Sequence, residues 1–139
     1  MHRIMGLDVG DVRIGIALSD LLQTIASPFE SYRRKGFFKD IDYILALAKE
    51  KEVGLIVSGI PLSMDGSENV QSAKVREFAD ALAKRTEIPV VFTDERFTTV
   101  SAERLLISAD VSREGRKKVV DKIAAAIILD NYLSRNKNR

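Results

Sequence analysis

Two short apolar runs stand close together early in the chain, Arg3 to Val9 and Arg13 to Ser19, with only Gly10, Asp11 and Val12 between them. A gap that short folds the chain back as a hairpin, because strands that run the same way need a crossover of about a dozen residues or more. The later apolar runs are spaced differently. Val53 to Ile60 follows a segment of helical period, Phe37 to Lys51, with Phe38, Ile41, Leu45 and Ala48 on one face. Pro89 to Thr93 follows a second such segment, carrying Val75, Phe78, Ala79 and Leu82. A hairpin followed by strand–helix alternation implies an α/β protein with one mixed sheet, antiparallel in its first part, parallel in its second, and covered by helices. Thr24 to Tyr32 supplies a third strand, and Pro28 within it suits an edge position. A third helix is expected from Thr98 or Thr99 to about Ser108, then a basic loop from Asp110 to Arg116. The final helix, Lys117 to Ser134, is apolar on most sides and should lie against the sheet. No repeat, low-complexity tract or linker interrupts the 139 residues, which read as a single domain, 1–139.

Composition narrows the chemistry. The chain has no cysteine and one histidine, His2. Disulfides, thiolate metal sites and a cysteine nucleophile are therefore excluded, and a Ser-His-Asp triad or a multi-histidine centre would have almost nothing to build from. Hydrolysis would have to run on carboxylates, metals, hydroxyls or lysines. No apolar stretch reaches the roughly 18 residues of a membrane span, and the N-terminus lacks a signal-peptide layout, so a cytoplasmic location is expected. Charge is uneven: residues 111–139 carry eight Lys/Arg against three Asp/Glu, whereas residues 1–110 carry 14 against 17. Such a basic end can meet a polyanion, or can simply be a solvated helix with a basic tail.

Three acidic positions stand out. Asp8 interrupts the run Ile4-Met5-Gly6-Leu7-Asp8-Val9-Gly10, where burial and strand propensity both disfavour a carboxylate. It either opens the turn at Gly10-Asp11 or serves a ligand, and the flanking glycines would let one approach. Asp94 and Glu95 end the strand Val90-Val91-Phe92, where they are either a ligand crevice or a solvated pair. Their side chains point to opposite faces and so have different roles. Asp121 shares a helix face with Ala125, Ile128 and Tyr132, where a carboxylate needs a partner, a metal, or a place in the first helical turn. Together, without histidines, these carboxylates suit a hard cation such as Mg²⁺ and phosphoryl-transfer chemistry. The polar loop Gly59 to Glu68 could cradle an anion ahead of a helix, although Ser67 also reads as a plain helix cap and Asp65-Gly66 as a turn. Neither standard nucleotide-binding glycine loop is present.

The same residues carry a family resemblance. Gly6-Leu7-Asp8-Val9-Gly10, followed by Arg13-Ile14-Gly15-Ile16-Ala17 and Ser19-Asp20, resembles the opening motif of the YqgF (RuvX-like) family. Gly59-Ile60-Pro61-Leu62 with Met64-Asp65-Gly66-Ser67 is similar to its central loop. Asp94-Glu95-Arg96-Phe97-Thr98-Thr99 and Asp121-Lys122-Ile123-Ala124-Ala125 are similar to its acidic strand-end motif and its last helix. The matches are ordered and span nearly the whole chain. The resemblance implies an RNase-H-like fold with a five-stranded mixed sheet whose first three strands are antiparallel. It implies a catalytic and metal site of Asp8, Glu95 and Asp121 holding one or two Mg²⁺ or Mn²⁺ ions, with Asp94 structural. No fourth acidic ligand is identified.

The function so implied is a metal-dependent endonuclease of structured nucleic acid, acting on the small-subunit ribosomal RNA precursor. The alternatives are a Holliday-junction resolvase on branched DNA and a non-catalytic nucleic-acid-binding module, which retention of the acidic set disfavours. A sugar-kinase-like ATPase would need two lobes that 139 residues cannot supply. Arg13 beside the hairpin, Arg96 beside Glu95, and Arg113, Arg116, Lys117 and Lys118 ahead of Asp121 are placed to contact phosphates. Monomer and dimer both remain compatible with the sequence.

Overall fold

A computed structural model describes residues 1–95 and 113–137, and side chains over 1–95 and 120–135. Strands β1 (Arg3–Val9), β2 (Arg13–Ser19) and β3 (Ala26–Arg33) are followed by helix α1 (Phe37–Glu50) and strand β4 (Val53–Ile60). Helix α2 (Val70–Ala83), strand β5 (Val90–Asp94) and a long helix α3 (Arg113–Lys137) complete the described elements. The five strands form one sheet in the order β3-β2-β1-β4-β5. β1–β2 and β2–β3 are antiparallel, and β1–β4 and β4–β5 are parallel. The sheet thus changes direction at β1, its central strand. The expected third helix between Thr98 and Ser108 lies outside the described residues.

Alternation along the strands gives the sheet two different faces. Met5, Leu7 and Val9 of β1 join Ile14, Ile16, Ile41, Ile44, Phe78 and Leu82 in the larger core, under α1 and α2. Ile4, Ala17 and Val57 face the other way and pack on Ala125, Ile128 and Leu129 of α3. On that side the strands carry small residues, and a Cβ at Gly6 would stand 2.9 Å from the carbonyl oxygen of Ala125, so α3 lies almost directly on the backbone of the sheet.

Several local expectations need correction. The buried stripe of α1 is Ile41, Ile44, Leu47 and Ala48, and Phe38 is exposed, with the Arg85 guanidinium 4.6 Å from its ring centre. The cap of α2 is Asn69, not Ser67: its side chain accepts from the Ser72 amide while the Ser72 hydroxyl accepts from the Asn69 amide. Ser67 instead closes the turn before it, bonding Asp65, and Gly66 takes a φ of 87° that favours glycine. Within the loop the Ser63 amide bonds the Ser67 carbonyl and the Gly66 amide the Ser63 carbonyl, as in a turn. Finally, the last helix starts at Arg113, so Arg113 and Arg116 belong to it and not to a loop.

Candidate active site

Asp8 is in the body of β1, paired with Gly15 of β2, and the hairpin turn is closed by the Gly10 amide bonding the carbonyl of Arg13, 2.9 Å away. A turn-forming role therefore does not account for it. Pairing continues outward along one row of the sheet: Ser31 lies opposite Gly15, and Gly59 opposite Thr93. Since Leu7 pairs with Ser58, Gly59 is the neighbour of Asp8 on β4. The central carboxylate is flanked by a glycine on each side.

Those two glycines make room for the other two carboxylates. A Cβ on Gly15 would overlap the carbonyl oxygen of Asp121, and a Cβ on Gly59 would overlap the carboxylate of Glu95. Asp121 thus sits over β2 and Glu95 over β4, with Asp8 between them. Glu95 is placed by its amide, which bonds the Ile60 carbonyl at 3.2 Å just past the end of β5. Asp121 is carried by α3 in the same stripe as the buried Ala125 and Ile128. The helix begins at Arg113, two turns earlier, so the favourable field of a helix N-terminus does not explain an acid there.

The electrostatics are those of crowded acids. Burial first and then the charge of Asp121 raise Asp8, its hydrogen bond with Glu95 works the other way, and the net result is about 6. Burial, then the charge of Asp8, raises Glu95 to about 8. Asp121 is raised by burial, against the opposing effects of the Arg13 charge and of the Ser31 hydroxyl, which donates to it at 3.4 Å. Glu95 Oε2 is buried without a hydrogen-bond partner. Asp8 is the member on which both other acids bear. Among the described residues, no group of three acidic or histidine side chains already stands arranged to hold a metal ion.

An acid whose pKa is raised by folding holds its proton longer in the folded than in the unfolded state. The folded chain then binds the extra protons between the ordinary values, 3.8 and 4.5, and the raised ones, about 6 and about 8. Stability must fall as pH rises through that window. In chelator, the melting temperature should be higher at pH 5 than at pH 8, and Glu95→Gln should remove most of the difference. An unchanged slope in Glu95→Gln would show that Glu95 is not the strained acid.

Of the expected phosphate contacts, Arg13 is half-buried at the start of β2 and acts on Asp121. The backbones of Arg113, Arg116, Lys117 and Lys118 lie in the first two turns of α3. Arg96 lies outside the described residues. Sequence reasoning missed Ser31, whose only signal was its place on an alternating strand. It also missed the roles of Gly15 and Gly59, although a glycine inside a strand is itself a sign of close approach. Among the described residues, no helix is long and apolar enough to cross a membrane.

Comparison with known proteins agrees with this architecture. The family described as RuvX, Holliday junction resolvase, matches residues 2–135. A curated relative from Thermoanaerobacter pseudethanolicus is 48% identical over 138 residues, covering 99% of each chain. One from Clostridioides difficile is 51% identical over 131 residues, 94% of this chain and 93% of the relative. Both bear the name "Putative pre-16S rRNA nuclease". Among solved structures, Thermus thermophilus RuvC in complex with a Holliday junction substrate superposes with a TM-score of 0.63 at 13% identity, covering 99% of this chain and 96% of that one. The fold is therefore that of the RuvC-like, RNase-H-like resolvases.

Proposed function

The chain belongs to the RuvX family, and from that premise we propose that it is a metal-dependent endonuclease whose centre is Asp8, Glu95 and Asp121. It is a hydrolase of nucleic-acid phosphodiester bonds. The substrate that best fits its relatives' names is the small-subunit ribosomal RNA precursor, met in the cytoplasm. The observation that carries the reading is the flanked carboxylate: two glycines hold two further acids against Asp8, a costly arrangement that a cation would relieve. The donors are all oxygens and one, Glu95 Oε2, lacks a partner, which fits a hard ion such as Mg²⁺ or Mn²⁺. Asp8, Glu95 and Asp121 would together hold one ion or two. A bound ion of this kind activates a water and stabilises the leaving oxygen.

The chain's own residues do the rest. Arg13, whose charge acts on Asp121, would meet a phosphate next to the scissile bond. Arg96, Arg113, Arg116, Lys117 and Lys118 would hold flanking phosphates and supply affinity without sequence preference. Replacing Arg116, Lys117 and Lys118 with Ala should weaken binding to unrelated sequences alike. The slope of log affinity against log salt should flatten by roughly 0.7–0.9 per lost contact. Isotherms at three salt concentrations check this, and an unchanged slope would remove these residues from the interface.

The deciding experiment compares cleavage of a labelled small-subunit precursor RNA and a four-way DNA junction, with Mg²⁺, Mn²⁺ or chelator. Metal-dependent cutting of the RNA is expected. The family's own description favours the second reading, a junction resolvase, which pairs two active sites and so predicts symmetric cutting of the junction by a two-fold dimer. Cleavage of either substrate in chelator would remove the metal from the mechanism.

A further inference from the structure

On the face of the sheet opposite the carboxylates, a buried charge lies directly behind the strand end that presents Asp8. Asp40, in the first turn of α1, has no exposed surface. Its carboxylate accepts from the Tyr32 hydroxyl at 3.0 Å, the Lys35 amide at 2.9 Å and Arg34 Nε at 2.8 Å. Burial works to raise it, but these bonds prevail and keep it ionised, below the usual carboxylate range. The Arg34 guanidinium then reaches on: its Nη1 donates to the carbonyl of Gly10 at 3.0 Å, and its Cζ lies 4.9 Å from the centre of the Phe78 ring on α2.

Gly10 is two residues beyond Asp8. Its amide is held by the Arg13 carbonyl and its carbonyl by Arg34, while the Arg34 amide bonds the carbonyl of Val12 at 2.9 Å. Packing is incomplete at this point. A cavity of about 450 Å³, lined by Gly10, Asp11, Arg34, Lys74 and Phe78 among others, undercuts the turn. The other tie, between Lys74 and Asp11 at 3.6 Å, is exposed on both sides and of small worth. A buried ion pair is also a poor choice for stability alone, since a well-packed apolar pair often serves as well. What the guanidinium adds is direction, because its planar fork reaches an acid and a carbonyl at once.

We propose that Arg34, oriented by Asp40, is a positioning residue for the active site: it pins the Gly10 carbonyl so that Asp8 keeps its place against the repulsion of the neighbouring acids. This rests on the metal-site reading of Asp8 given above. Arg34 touches neither substrate nor metal, and acts through the backbone of the β1–β2 turn.

The test measures Mn²⁺ binding by calorimetry, amide exchange over residues 8–13, and melting temperature, on the full chain. Arg34→Lys keeps the charge beside Asp40 but not the two-way fork. It should keep a near-native melting temperature while weakening Mn²⁺ binding about tenfold, the scale on which supports behind metal ligands act, and should speed exchange in the turn. The pair Arg34→Met with Asp40→Asn removes both charges but keeps Oδ1 to accept from Tyr32 and Lys35, and should keep most of the stability while losing Mn²⁺ affinity. Asp8→Asn separates the two ideas. If it leaves Mn²⁺ binding intact, the metal-site reading fails. If it abolishes binding while Arg34→Lys binds Mn²⁺ and exchanges like wild type, the positioning role fails. Loss of melting temperature and affinity together in Arg34→Lys would also overturn it, in favour of a structural role alone.

Discussion

Replacing Asp8 by Asn is expected to lower cleavage by roughly 10³-fold or more, the loss seen when one member of a unit acting together is removed. The amide keeps the shape of the carboxylate between Gly15 and Gly59, so the sheet register should be undisturbed. The metal-free variant should melt at a higher temperature than the wild type at pH 8, because the buried charge that raises Glu95 and is itself repelled by Asp121 is gone. Adding Mn²⁺ should stabilise the wild type and leave Asp8→Asn unmoved. Glu95→Gln and Asp121→Asn should each behave similarly, and the double variant should lose far less than the product of the two losses. Full activity in Asp8→Asn would dismiss the whole centre, whereas an essential Asp94 and a dispensable Glu95 would reassign only the strand end.

The second large effect concerns stability. Gly15→Ala places a methyl group where the Asp121 carbonyl now lies, and that atom belongs to helix backbone that cannot swing aside. Overpacking of a fitted interior costs about 1–3 kcal/mol and sometimes more, and here α3 as a whole would have to lift. We expect a loss at or above the top of that range, visible as a clear fall in melting temperature, together with loss of activity. Gly59→Ala meets the Glu95 side chain and the tip of Ile128, which can move, so it should cost less stability and still impair cleavage. Equal melting temperatures for Gly15→Ala and the wild type would mean that α3 does not bear on β2 as closely as described.

How far the sequence reveals this arrangement depends on whether a feature is local. β1, β2 and β4 can be read to the residue, since each is a compact apolar run with abrupt ends. Asp8 is conspicuous because a carboxylate inside such a run conflicts with everything around it. The face of α1 is harder: Phe37 and Phe38 are equally apolar, and only the position of Phe78 on α2 decides that Phe37 turns inward. Asp40 looks like an ordinary first-turn acid, and its complete burial depends on donors that β3 and the following turn bring to it. The start of α3 is obscured by charge, because Arg113 to Lys118 has no apolar period with which to announce a helix. Ser31 lies on a partly exposed edge strand and gains meaning only when α3 is laid across it.

The way α3 lies across the sheet has a consequence for a chain made in order from its first residue. Asp8 is synthesised with the first of the five strands, Glu95 only after the last of them, and Asp121 later still, with the helix that covers Gly6 and Gly15. Until that helix docks, a nascent chain would present a smooth, half-apolar sheet face bearing an incomplete set of acids. With Asp121 as a member of the proposed centre, completion of the acidic set and covering of that face would be one and the same event.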